Sequence, residues 1–263
     1  MKKLYDVVVI GAGSGGLTSA VGFFKAGKKV LLVEQEHMGG ECTNSGCIPS
    51  KALLHRARKY HAMKQIIGET VATETYRQGA LTYVRKTIQH ILDNETPETF
   101  EQMGIDVVLG EALFCTKNSI TVGETQYEFK TAVIATGSSP RMITVPGLEE
   151  TDILTNQNVF ELKTIPEKLL VIGAGPIGME LGQAFSMLGS DVTIATIDTD
   201  FARLEDPAIR PILRQSFATL RITIHLQAFI NRIEGKTAIF DIKNGEEIIA
   251  EQRVVFDKVL IAI

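Results

Sequence analysis

Cysteine is scarce in this 263-residue chain, which has three: Cys42, Cys47 and Cys115. That set is odd and too sparse for the disulfide framework of a small secreted domain. Nor does a second cysteine pair or a nearby HxxxH complete a zinc tetrahedron beside the first two. Long apolar runs are lacking as well. No stretch approaches the roughly 18 residues needed to cross a bilayer. The apolar run after Met1-Lys2-Lys3 reaches Gly11 without a small-residue cleavage site, so it is read as a buried strand and not as a leader. An excess of one charge is also missing: a net charge of −4 and a pI near 5.8 leave no basic stripe for nucleic acid and no like-charge block for an interaction tail. These absences predict a cytoplasmic protein without nucleic-acid or membrane partners.

With 44% hydrophobic residues the chain can bury a large core, and its length lies where single cores stop growing, so two domains are expected. An internal repeat places them. Val7-Val8-Val9-Ile10-Gly11-Ala12-Gly13 recurs 162 residues later as Leu169-Leu170-Val171-Ile172-Gly173-Ala174-Gly175. Each copy is a continuous apolar strand, suited to a parallel sheet covered on both faces, followed by a glycine turn and a helical pattern. This predicts an α/β fold of two Rossmann-like domains with parallel sheets. The loop Gly137-Ser138-Ser139-Pro140 with Pro146-Gly147 puts the boundary near 148, giving domains 1–148 and 149–263.

In the first copy Gly11 permits the tight turn, Gly13 lets backbone approach a pyrophosphate, and Gly16 lets the helix from about Gly15 to Lys25 pack on its strand. The helix N-terminus then faces phosphates. Glu34, 18 positions beyond Gly16 at the end of the second strand, suits an adenosine ribose. The second copy repeats the spacing with Gly173, Gly175 and Gly178, opening a helix from Ile177 to Leu188 and a strand from Asp191 to Ala195. There the position equivalent to Glu34 is Thr196. Without a carboxylate the barrier to a 2′-phosphate is lower, and Arg203 is close enough in sequence to reach one, although Asp198 opposes it. The second site is therefore expected to take NADP or NAD, with NADP slightly favoured. Between the repeats, Lys51 to Gln65 reads as a helix, Thr75 to Met103 as a second long helical stretch, and Phe129 to Ala135 as an apolar strand.

The segment Gly39-Gly40-Glu41-Cys42-Thr43-Asn44-Ser45-Gly46-Cys47-Ile48-Pro49-Ser50-Lys51 places two cysteines five positions apart beside a lysine. It reads as a redox pair or, more blandly, as two buried thiols. In a regular helix residues five apart stand about 8.6 Å from each other, beyond the limit of about 7 Å for a disulfide, so the chain has to bend between them. Thr43 to Gly46 are turn-competent, and Pro49 suits the first turn of the helix carrying Lys51. A thiol at that helix start gains from the dipole and from a neighbouring cation, which makes Cys47 the favoured thiolate.

Taken in order, the GAGSGG turn, Glu34, GGECTNSGCIPSK, the Ala135-Thr136-Gly137 strand end and the GAGPIGME turn resemble the class I pyridine nucleotide-disulfide oxidoreductases. This is the family of mercuric reductase, dihydrolipoyl dehydrogenase and glutathione reductase. The resemblance implies FAD in the first domain, bound by Gly11, Gly13, Ser14, Gly16, Glu34, Gly40, Ala135, Thr136 and Gly137. It implies NADP or NAD in the second, bound by Gly173, Gly175, Gly178, Thr196 and Arg203. By the same resemblance Cys47 is the thiol facing the flavin and Cys42 the interchange thiol of a redox disulfide. Lys51 would pair with Glu180 beside the flavin, as a buried lysine needs a carboxylate. The implied reaction carries hydride from NAD(P)H to the flavin and electrons on to the Cys42–Cys47 disulfide, for a small-molecule disulfide or metal-ion substrate.

Phe256 to Ile263 mirrors Phe129 to Gly137, and the sequence stops where the second glycine would follow. Relative to the family it lacks the C-terminal dimerisation domain and its His-Glu pair. A truncated chain of low stability is expected, from a parent that forms a homodimer. The alternative is a nucleotide-binding fragment without full turnover. His37, His55, His61, His90 and His225 are read as ordinary polar residues, and Cys115 as a small buried hydrophobe.

Overall fold

A strand that is apolar at every position needs cover on both faces, and the computed structural model, which describes residues 3–263, supplies it in both repeats. Internal contacts divide the chain into two units. One reaches Pro49 and resumes over Lys86–Ser139, and the other comprises Ser50–Arg85 and Pro140–Ile263. The division after Ser139 falls nine residues before the expected boundary, because Val145 and Leu148 pack into the core of the second unit. No helix among the described residues is long and apolar enough to cross a membrane.

The first repeat runs through β1 (Lys3–Ile10), α1 (Ser14–Lys25) and β2 (Val30–Glu34). Next come the short α2 (Gly40–Asn44) and the long α3 (Cys47–Ile67). The expected single helical stretch over 75–103 is instead three helices: α4 (Val71–Gln78), α5 (Ala80–Leu92) and α6 (Pro97–Met103). Gly79 caps the first, and Thr96 accepts the Thr99 N–H before Pro97 to start the last, so local capping chemistry divides the apolar pattern. β3 (Asp106–Leu109), β4 (Ala112–Thr116), β5 (Ser119–Val122) and β6 (Thr125–Ile134) complete a six-stranded sheet in the order β3-β2-β1-β6-β5-β4.

β1 feeds two cores through the period-two alternation of a strand. Val7 and Val9 pack with Leu17 and Ala20 of α1, while Val8 and Ile10 pack with Leu31, Val33, Ile120 and Phe129. β6 begins four residues before the expected Phe129 because its start pairs antiparallel with β5, while Tyr127–Ile134 pairs parallel with β1. Cys115 is corrected by the structure: it is exposed, at a bulge in the edge strand β4, and not part of the core.

From Pro140 onward the second unit contains β7 (Ile153–Leu154), β8 (Lys168–Ile172), α7 (Pro176–Met187), β9 (Asp191–Ala195), α8 (Arg210–Thr219) and β10 (Thr223–His225). An antiparallel sheet of β11 (Ala228–Glu234), β12 (Thr237–Asn244) and β13 (Glu247–Val255) follows, then β14 (Lys258–Ile261). The parallel sheet has the order β10-β9-β8-β14-β7. Leu170 and Ile172 of β8, with Val259 and Ile261 of β14, pack against Ala238 and Phe240 of the antiparallel sheet.

Candidate active site

The two glycine turns are built alike. The Gly11 N–H donates to the Val33 carbonyl at 2.8 Å and the Gly173 N–H to the Ala195 carbonyl at 2.8 Å. Each first glycine has positive φ, +102° and +111°, and lies under the end of a neighbouring strand. A Cβ on Gly11 would stand 2.2 Å from the Ala135 oxygen, and one on Gly173 2.3 Å from the Ala262 oxygen. The third glycines, Gly16 and Gly178, would strike the carbonyls of Gly11 and Gly173 at 1.8 and 2.2 Å, so both helices sit directly on their turns. The helices have glycine N-caps, Gly13 and Gly175, with no capping side chain, whereas Thr70 and Thr96 cap α4 and α6. The first-turn N–H groups of a helix have no intrahelical partner, so a glycine-capped start fits a pyrophosphate group. The residues present therefore fit a dinucleotide at each turn.

Glu34 ends β2 as expected, and its carboxylate accepts the Ala12 N–H at 2.5 Å and the Glu36 N–H at 2.8 Å. It thus fastens the first glycine turn, and its remaining lone pairs can receive ribose hydroxyls. At the equivalent place in the second unit Thr196 is buried and donates its hydroxyl to Asp198 at 3.0 Å. The same Asp198 carboxylate accepts from Arg203 at 2.8 Å. Asp198 thus occupies the cation that the sequence offers to a 2′-phosphate.

The cysteine segment packs backbone to backbone on the first glycine turn. The Gly39 N–H donates to the Ala12 carbonyl at 2.9 Å, and a Cβ on Gly40, whose φ is +57°, would come within 2.6 Å of the Gly13 Cα. The expected bend between the cysteines is present, but it is a helix break and not a loop throughout. α2 carries Cys42 and ends at Asn44, whose amide donates to the carbonyls of Met38 and Gly40 at 2.9 and 2.8 Å. Ser45 and Gly46 turn the chain, and α3 restarts at Cys47. A Cβ on Gly46 would approach the Glu41 carbonyl oxygen to 2.9 Å, so the return is tight. Both sulfurs are thiols in this structure. The Cys42 thiol donates to Cys47; that bond first, then burial, with a contribution from the charge of Glu95, holds Cys42 above the ordinary thiol range.

In the second unit, Lys51 on α3 and Glu180 on α7 form an ion pair at 2.9 Å, joining residues 129 positions apart. The lysine is not buried, contrary to expectation: its side chain is 64% exposed and that of Glu180 23%. Of the histidines, His55 stacks near Tyr83, His61 bonds Gln65 at 2.9 Å, and burial pushes His225 down. Sequence reasoning underrated one residue and missed another. Asp198 was weighed there only as opposition to a phosphate, and Glu95, beside Thr43, belongs to no motif.

Residues 5–263 match the family model described as pyridine nucleotide-disulphide oxidoreductase. Among curated proteins, mercuric reductase of Lysinibacillus sphaericus is 34% identical over 88% of this chain and 43% of its own length. Dihydrolipoyl dehydrogenase of Bacillus subtilis is 34% identical over 92% of this chain and 53% of its own. Among solved structures, the HOCl-induced flavoprotein disulfide reductase RclA from Escherichia coli superposes with a TM-score of 0.81 at 27% identity, over 98% of this chain and 56% of that one. The chain spans about half the length of the curated relatives it matches.

Proposed function

Because the chain belongs to the pyridine nucleotide-disulphide oxidoreductases, a family of FAD-dependent NAD(P)H oxidoreductases, we propose that Cys42 and Cys47 are its redox dithiol–disulfide. The observation carrying this reading is the helix break at Ser45–Gly46, which brings a thiol on α2 into hydrogen-bonding range of the first residue of α3. Bound FAD supplies a two-electron relay between a nicotinamide and this pair. The protein's residues provide the rest.

Backbone N–H groups around Gly13, Ser14 and Gly16 receive the FAD pyrophosphate, and Glu34 receives the adenosine ribose while holding the turn. Gly40 and the Ala135-Thr136-Gly137 segment after β6 offer backbone to that cofactor. Gly173, Gly175 and Gly178 do the same for the nicotinamide nucleotide, with Thr196 and Arg203 at its adenosine end. NADP has to draw Arg203 away from Asp198, and NAD does not, so the geometry favours NAD more than the sequence does. Lys51, held by Glu180, presents a cation for negative charge that develops on reduction.

Cys42, once its proton has passed to Cys47 or to solvent, attacks a small-molecule disulfide as the thiolate and releases one thiol, or binds a metal ion; Cys47 then displaces the second thiol and re-forms the Cys42–Cys47 disulfide. Such a pair suits a reducing compartment, the cytoplasm, and the whole protein is assigned a homodimeric state. The test is a count of reactive thiols in the FAD-loaded chain after mild oxidation. Anaerobic NADH or NADPH is expected to expose two more thiols per chain, and Cys42→Ser to expose none. An equal count with and without nucleotide refutes the assignment.

A further inference from the structure

Glu95 lies on the connection between α5 and α6, 52 positions from Thr43, yet its Oε2 accepts the Thr43 hydroxyl at 2.9 Å. Thr43 is 5% exposed and follows Cys42 directly in α2. A Cβ on Gly39, whose φ is +82°, would stand 2.4 Å from the Glu95 oxygen and 2.7 Å from the Thr43 Cβ. The turn entering α2 is therefore folded tightly over this carboxylate. The titratable groups acting on Cys42 are Cys47 at the start of α3 and Glu95; Glu41 and Lys51 flank the pair along the chain. When two adjacent thiols share one proton, a fixed anion next to one of them places the proton there and the negative charge on the other.

We propose that Glu95 is a positioning residue of the dithiol: it clamps α2 through Thr43 and by its charge keeps the shared proton on Cys42, leaving Cys47 as the thiolate. No bond between heavy atoms changes, and one proton leaves the dithiol to solvent. The proposal rests on the reading of Cys42 and Cys47 as the redox pair. Its test needs neither flavin nor nicotinamide nucleotide, so its failure is distinguishable from a failure of that reading.

The test is the pH dependence of alkylation by iodoacetamide in the chain carrying Cys47→Ser and Cys115→Ser, where Cys42 is the remaining thiol. Glu95→Gln retains an oxygen for the Thr43 hydroxyl while removing the charge. It is expected to lower the alkylation midpoint by about half a pH unit, a roughly threefold faster reaction below the midpoint. Glu95→Asp is expected to restore the original midpoint. The companion chain with Cys42→Ser and Cys115→Ser, reporting on Cys47, should shift less. Salt gives the same comparison with Glu95 intact: between about 0.01 and 1 M the Cys42 midpoint should fall as screening removes the anion's effect. An unchanged midpoint in Glu95→Gln, an equal shift at both cysteines, or a salt-independent Cys42 midpoint overturns the proposal.

Discussion

A methyl group on Gly11 would stand 2.2 Å from the Ala135 oxygen, whereas one on Gly15 would meet nothing within 4 Å. Gly11→Ala is therefore expected to lower the stability of the chain by about 2 kcal/mol or more in denaturant titration, from strain at positive φ and the backbone clash. Gly15→Ala should leave stability within about 0.5 kcal/mol or raise it. At the second turn, Asp198→Asn frees Arg203 and removes a negative charge, so NADPH should gain about tenfold in affinity over NADH, as measured by parallel binding titrations. An unchanged ratio would place the adenosine end elsewhere. Glu34 was legible in the sequence because its distance from the third glycine is set by one helix and one strand. Glu95 was not, because its neighbourhood with Thr43 is made by the return of three helices, and neither local period nor spacing encodes that.

At the scale of elements, β1 is tied to its neighbours by Asp6, whose carboxylate accepts the Lys29 N–H at 3.0 Å and the Lys130 ammonium of β6 at 2.6 Å. Lys130 first and the Lys29 amide next hold this carboxyl below its ordinary range. Its folded pKa lies below its unfolded one, so its stabilisation is complete above the unfolded value near about 4 and is lost as pH falls through the folded value. Thermal melts below about pH 4 should lose midpoint, and Asp6→Asn should flatten that acid limb; equal acid limbs in both proteins would remove Asp6 from the account. Strand–turn–helix units were legible because a glycine turn has to follow a buried strand. The stretch 75–103 was not legible as three helices, since Gly79 and the Thr96-Pro97 start interrupt an otherwise continuous helical pattern. Cys115 was misjudged for a related reason: a strand pattern does not reveal that the strand stands at a sheet edge with a bulge.

At the scale of the whole molecule, the repeat read from two matching heptapeptides became two matching hydrogen-bond frameworks, down to the Ala135 N–H to Ile10 carbonyl and Ala262 N–H to Ile172 carbonyl bonds, both 2.8 Å. Each unit has its own sheet with a parallel centre and its own core. Gly173→Ala, with its Cβ 2.3 Å from the Ala262 oxygen, is accordingly expected to weaken NAD(P)H binding at least tenfold while flavin is retained. Flavin absorbance and nucleotide fluorescence on one sample separate the two effects. The most direct measurement of the central claim is the visible spectrum of the FAD-loaded chain during anaerobic titration with NADH and then NADPH. A new long-wavelength thiolate–flavin band at one equivalent of nucleotide, with the flavin still oxidised, is the expected result; in Cys47→Ser the band is absent and the flavin bleaches instead. A bound flavin that either nucleotide bleaches without that band, identically in Cys47→Ser, contradicts the assignment of Cys42 and Cys47 as its electron acceptor.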